Sequence, residues 1–262
     1  PQTMPQLLDL SNLIKQRNNK TLYALKINND PEDTSGAKLL ESAAKLASAT
    51  DNKLVQIMKC DLNISNCIID TVQANKITDL IVGIHHKANI VDTFLGGTIT
   101  ALINGTSHQN LIIYGPKRPV NSVKRLVVTV PQMAELEIGF DLWFDRVKNI
   151  ASQLSIPIVF YANKTTTEAL KKQCEIHSSL NVSFRELASW EDFLIISKDI
   201  KHSDTLIVIT ARKATMSYNN LFEKIPYYLN KYFADNNFLL IYPQQTAPDG
   251  TDNDIYNPLK IS

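Results

Sequence analysis

Short runs of aliphatic and β-branched residues alternate along the whole chain with stretches whose apolar positions recur every three or four residues. The runs predict strands at Thr21–Leu25, Leu54–Met58, Asp79–Gly83, Leu111–Tyr114, Arg125–Val130, Ile158–Tyr161, Val182–Phe184, Thr205–Ile209 and Phe238–Tyr242. The periodic stretches predict helices. One carries Leu7, Leu8 and Ile14, with Thr3 as its cap and Pro5 in its first turn. Others carry Leu40, Ala43, Ala44 and Ala47; then Ile64, Ile68, Ile69 and Val72 beside Cys67; then Phe94, Leu95, Ile99, Leu102 and Ile103. The clearest stripe is Phe140, Trp143, Phe144, Val147, Ile150, Ala151 and Leu154. A further helix is expected before Val182, capped by Thr165 or Thr166, and a last long one through Leu221, Ile225, Tyr228, Leu229 and Tyr232. Strands that are apolar throughout, separated by amphipathic helices, imply an α/β fold with a parallel sheet covered on both faces.

The pattern then repeats itself. Asp79-Leu-Ile-Val-Gly corresponds to Asp204-Thr-Leu-Ile-Val, and Leu111-Ile-Ile-Tyr-Gly-Pro to Leu239-Leu-Ile-Tyr-Pro, at an offset of about 125 residues (204 − 79). Two tandem units follow from this, residues 1–118 and 119–245, joined by the polar stretch Lys117–Ser122 and followed by a tail over 246–262. The alternative is one doubly wound domain. The second unit has five strands and the first only four, its opening strand being the one not seen. Either that strand lies upstream of Pro1, or the first unit never had it, or Val123–Val130 serves both units.

Composition narrows the class of protein. With 262 residues, 44% apolar and 20% charged, the chain is that of a folded globular protein. Lys plus Arg number 27 against 26 Asp plus Glu, so no net field draws it to nucleic acid. Cys60, Cys67 and Cys174 form no CxxC pair, which fits a reducing compartment, with Cys67 a small buried hydrophobe. No apolar run approaches the roughly 20 residues that span a bilayer. The chain opens on Pro1, and is expected to be a piece of something longer.

Asp79–Gly83, the loop after it, and the Gly-bearing helix start Gly96-Gly97-Thr98 resemble the last third of a universal stress protein. Nucleotide-binding members of that family carry glycines at set spacing, so that backbone amides at a helix start can meet phosphate. Here Gly83 and Gly96 stand at the first and third glycine places, His86 at the second, Gly97 at the Ser/Thr place and Thr98 one residue later. The resemblance implies a degenerate nucleotide loop in the first unit, with Gly83, His86, Gly96, Gly97 and Thr98 as the one place for an adenine nucleotide, and otherwise no cofactor. The second unit departs further. No glycine stands between Gly139 and Gly250, its loop reads Thr210-Ala-Arg-Lys-Ala-Thr-Met-Ser-Tyr218, and its first strand ends on Pro131 where binders carry an acidic residue.

Tandem units of this type resemble the cytosolic C-terminal region of cation:proton (Na+/H+) antiporters. This resemblance implies a regulatory, non-catalytic region on the cytoplasmic side of the inner membrane. Its partner is the transmembrane part of the same polypeptide, with a homodimer as a second association. The other reading is a free-standing tandem stress protein that binds ATP or another adenine nucleotide. A third, ranked last, is an enzyme of the related nucleotide-hydrolysing α/β group. No GxSxG, HExxH, Walker loop or GxGxxG names a catalytic centre. His85-His86 with Asp92 lacks a third ligand at metal spacing. Arg212 and Lys213, beyond the second unit's buried strand, read as solvated loop charges or as holders of an anion.

Overall fold

The computed structural model describes residues 4–15, 21–28, 30, 35–84, 97–175 and 180–246. Thr3, His85, His86, Asp92, Phe94, Leu95, Gly96 and the tail beyond Thr246 lie outside these residues.

The elements run α1 (Met4–Ile14), β1 (Thr21–Asn28), α2 (Ser35–Ser48), β2 (Lys53–Cys60), α3 (Ile64–Ala74), β3 (Asp79–Gly83), α4 (Gly97–Gly105) and β4 (Asn110–Gly115). There follow β5 (Arg125–Thr129), α5 (Phe140–Leu154), β6 (Ile158–Ala162), α6 (Lys164–Glu175), β7 (Val182–Glu186), β8 (Asp204–Ile209), α7 (Ile225–Tyr232) and β9 (Asn237–Tyr242). Seven strands form one sheet in the order β3-β4-β9-β8-β5-β6-β7, and β1 and β2 form a separate parallel pair. Every pairing is parallel except β4 with β9.

The sheet is apolar on both faces because helices cover both. Along β4, β5, β8 and β9 alternate side chains enter opposite layers. Ile112, Val128, Ile207 and Ile241 join α1 and α5, and Ile113, Val127, Val208 and Leu240 join α4, α7 and Phe193. In the first layer Trp143 meets Phe140 and Phe144 edge-on, and Phe144 stacks on Phe160. Cys67 is buried, as its place beside an apolar stripe indicates.

The antiparallel β4–β9 pair lies across the 118/119 boundary expected from the repeat. Its register is self-complementary: Leu111 faces Tyr242, Gly115 faces Phe238, and the fourth residue of each strand, Ile113 and Leu240, face one another. Residues at matching places behave alike. The buried side chain of Asn237 accepts from the amides of Lys117 (2.6 Å) and Arg118 (2.9 Å), and that of Asn110 accepts from the amide of Gln244 (3.0 Å). Helix α1 is held to α5 by Asn149 and Gln153, whose amides donate to the last carbonyls of α1 (Gln153 to Leu13 at 2.8 Å), groups that a helix end leaves without partners.

Four readings change. Helix α6 is capped by Asn163, which accepts from the amide of Thr166 at 2.8 Å, while the Thr166 hydroxyl donates to Glu135. An Asn one residue ahead of the helix competes better for that amide than a threonine within the first turn. The last helix is split into a 3-10 turn, Asn220–Lys224, and α7, because Pro226 stands in the first turn of α7 and donates no amide to the preceding turn. A 3-10 stretch, Trp190–Lys198, was not expected; its Trp190, Phe193 and Ile196 are buried. Finally, among the described residues β5 pairs only with β6 and β8, so Val123–Val130 is not seen to serve strands β1–β4.

Candidate functional site

In an open α/β sheet, ligands meet the carboxyl ends of the strands, where loops lead into helix N-termini. Two such edges exist here, and they differ.

Of the first unit's expected loop, Gly83, Gly97 and Thr98 are described; His86 and Gly96 are not. Gly83 closes β3, and a Cβ there would touch the Leu7 side chain at 3.2 Å. Gly97 and Thr98 are exposed at the start of α4, and a Cβ on Gly97 would meet nothing within 4 Å. They line a shallow surface depression of about 460 Å³ together with Leu62, Asn63, Ile64 and Ser65, which open α3. Two helix starts therefore share one opening. Asn63 caps α3, its side chain accepting from Asn66 N (3.1 Å) and from the Ser65 hydroxyl (3.0 Å). The arrangement offers amide donors and hydroxyls, the chemistry of anion contact, but Leu62, 87% exposed, gives it an apolar rim.

At the second unit's edge protein atoms occupy the places a ligand needs. After β8, Thr210 is buried and its hydroxyl donates to Ile241 O at 2.8 Å. Ala214 adopts a left-handed conformation (φ 69°), folding the loop back so that Thr215 donates to Arg212 O. The amide and hydroxyl of Ser217 both donate to Glu137, at 3.0 and 2.9 Å. Thus the carboxylate of the β5–α5 loop takes the donors that an anionic ligand would use.

Arg212 overturns both readings made of it. It is neither solvated nor aimed at an anion: it is 5% exposed, and its guanidinium donates to the carbonyls of Ile103, Thr106 (2.8 Å), Gln109 (3.1 Å) and Pro243 (3.4 Å). Ile103 and Thr106 belong to the end of α4, where the helix dipole favours a cation and the last carbonyls need donors. Burial pushes Arg212 down to about 10, which leaves it charged at neutral pH, and pushes the Tyr242 phenol up to about 12 against the pull of that charge. Lys213 does reach solvent, paired with Glu223 at 2.9 Å.

A charged cluster lies at the other end of β5 and β8. Arg125, at the start of β5, pairs with Asp204 (2.6 Å) and Asp199 (3.4 Å), and Asp199 also accepts from Tyr161 (2.8 Å) and pairs with Arg185 (2.9 Å). Burial works to raise the Asp199 carboxyl, but the Tyr161 hydrogen bond and the two guanidinium groups bring it below the ordinary range. Every charge in the cluster has a partner, and it holds chain segments together. Among the described residues no three His, Cys, Asp or Glu side chains gather as metal ligands. No described helix is long and apolar enough to cross a membrane.

Sequence reasoning missed Glu137, Asn110 and Asn237. Nothing local singles out a lone Glu in a loop. The two Asn residues do carry a signal, since each opens the apolar run that matches the other at the repeat offset.

Neither any protein-family model nor any curated protein matches the chain. Solved structures do. The cytoplasmic domain of a prokaryotic cation chloride cotransporter superposes with a TM-score of 0.63 at 12% identity, over 93% of this chain and 90% of that one. A putative universal stress protein from Pseudomonas aeruginosa UCBPP-PA14 gives 0.59 at 14% identity, over 90% and 88%. A universal stress protein from Archaeoglobus fulgidus DSM 4304 gives 0.55 at 11% identity, over 91% and 92%. The chain has an α/β fold with parallel-dominated sheets, of the kind these universal stress protein-like structures share.

Proposed function

We propose that the chain is a non-catalytic regulatory region of a membrane cation transporter, a cation:proton antiporter in the first instance. In this reading it works on the cytoplasmic side as two stress-protein-like units, 1–118 and 119–245, attached to the transmembrane part of the same polypeptide. The observation that carries it is the second unit's edge, where Glu137 takes the Ser217 donors and Arg212 is bound to carbonyls of the first unit. A phosphate-binding loop has been turned into a contact between units. Such a contact can pass a mechanical signal but has no room for nucleotide turnover. The likeness over nearly the full length to a transporter's cytoplasmic domain supports the same reading.

The second reading, a free-standing tandem protein that binds an adenine nucleotide, is favoured by the opening between the starts of α3 and α4. One comparison separates the two. Ion flux is measured in vesicles holding the polypeptide that contains this chain, intact and with residues 1–246 removed. The expected result is that ion selectivity is kept while the dependence of flux on pH or ion concentration shifts. A polypeptide without spanning segments, together with saturable ATP binding lost on Thr98→Ala, decides for the second reading.

A further inference from the structure

The second unit shows what a complete strand set looks like. β5 lies between β6 and β8 and is hydrogen bonded to both, and β6 and β8 are buried along their whole length. In chain order β1 and β3 hold the places of β6 and β8. β1 follows α1 as β6 follows α5, and β3 precedes β4, the last strand of its set, as β8 precedes β9. Yet among the described residues β1 pairs only with β2, and β3 only with β4. Their burial follows suit: all five residues of β3 are half-buried, and of β1 only Asn28 is buried. The side chains of β3 point toward two cores that stop short of covering them, Ile81 on the α1 side and Leu80 and Val82 on the α4 side. An apolar strand with one open edge is a pairing template, which folded proteins ordinarily cover.

The crossover helix for a missing strand is already in place. α1 packs on α5, its partner in the repeat, lays Leu7 against Gly83 of β3, and leads into β1. In a right-handed β–α–β crossover, the strand ahead of such a helix lies beside the strand after it.

We propose that the open edges of β1 and β3 form an acceptor slot for one further strand, parallel to both and supplied by the same polypeptide N-terminal to α1. The slot takes a segment of about the length of β5, five residues, with apolar side chains toward both faces in the manner of Leu126-Val127-Val128. Insertion joins β1–β2 to the seven-stranded sheet and makes one continuous sheet of ten strands. In a transporter the slot is also a direct mechanical link, because the chain that leads to the preceding part of the protein is then stitched into the core of this region. The inference depends on the likeness of the two strand sets and not on the transporter role, so either can fail alone.

Native-state hydrogen exchange tests it, on the polypeptide that contains this chain and on residues 1–262 alone. The expected result is that amides of Leu22–Ile27 and Leu80–Val82 exchange at least about tenfold more slowly in the longer protein, with β5–β9 unchanged. A proline placed in the upstream apolar run should abolish the added protection and leave β5–β9 as they were. Equal exchange in both proteins overturns the proposal, as does a polypeptide with no apolar β-type run ahead of α1. Protection that grows with protein concentration also overturns it, since a second copy then fills the slot.

Discussion

Arg212 is a charge almost wholly out of water, with no carboxylate against it among the described residues, and is held by four carbonyl oxygens. Such a group is tolerated only where acceptors are plentiful, and the end of a helix provides them. Arg212→Met should cost about 3 kcal/mol in urea unfolding, because it strands several buried carbonyls at once. Arg212→Lys should recover little of that loss, since a single ammonium cannot reach acceptors spread over α4, the turn before β4 and the segment after β9. Lys213→Ala, one residue away, removes a pair at the surface and should leave the urea midpoint almost where it was. If the Arg212 and Lys213 variants lose equal stability, the guanidinium is not holding the two halves of the chain together.

Turns and helix starts carry their own test, in the glycines. A Cβ on Gly139, at the N-cap of α5, would run into the backbone oxygen of Gln244 and lie 2.8 Å from the Pro243 side chain. Gly139→Ala should therefore destabilise by about 2 kcal/mol, since backbone of the segment after β9 has to move. Gly97, opening α4 into free space, should behave in the opposite way. Gly97→Ala should stabilise by about 0.5 kcal/mol, because it lowers the entropy of the unfolded chain and meets nothing in the folded one. Thermal midpoints of the two variants check both signs. A Gly97→Ala variant that unfolds as readily as Gly139→Ala would show that the start of α4 is tighter than its geometry indicates.

Over the whole molecule the decisive feature is the antiparallel β4–β9 pair, which makes one seven-stranded sheet out of strands from both halves of the chain. Its two ends are pinned by the buried side chains of Asn110 and Asn237, each accepting from the chain that leaves the other strand. A continuous core on both faces predicts a single unfolding transition rather than one for each half. Circular dichroism and the fluorescence of Trp143 and Trp190 should give coincident midpoints. Asn237→Ala should lower both together by about 2 kcal/mol, leaving the amides of Lys117 and Arg118 without their acceptor. A variant in which the fluorescence transition stays while the circular dichroism splits would mean that the halves hold together without this seam.

All nine strands, the amphipathic helices and the internal match are readable from the amino-acid order, because burial on both faces demands unbroken apolar runs and the covering helices demand a 3.6-residue stripe. The loss of glycine from the second loop is readable for the same local reason. What depends on contact between distant residues is not. The antiparallel joining of β4 to β9, the use of Arg212 as a cap for α4 and the seizure of the Ser217 donors by Glu137 link residues about 80 to 130 positions apart, and no local period encodes them. Secondary structure and repeat are properties of short windows of sequence. Whether a charged side chain in a loop meets water, a ligand or the end of another helix is decided by which surfaces the fold brings together.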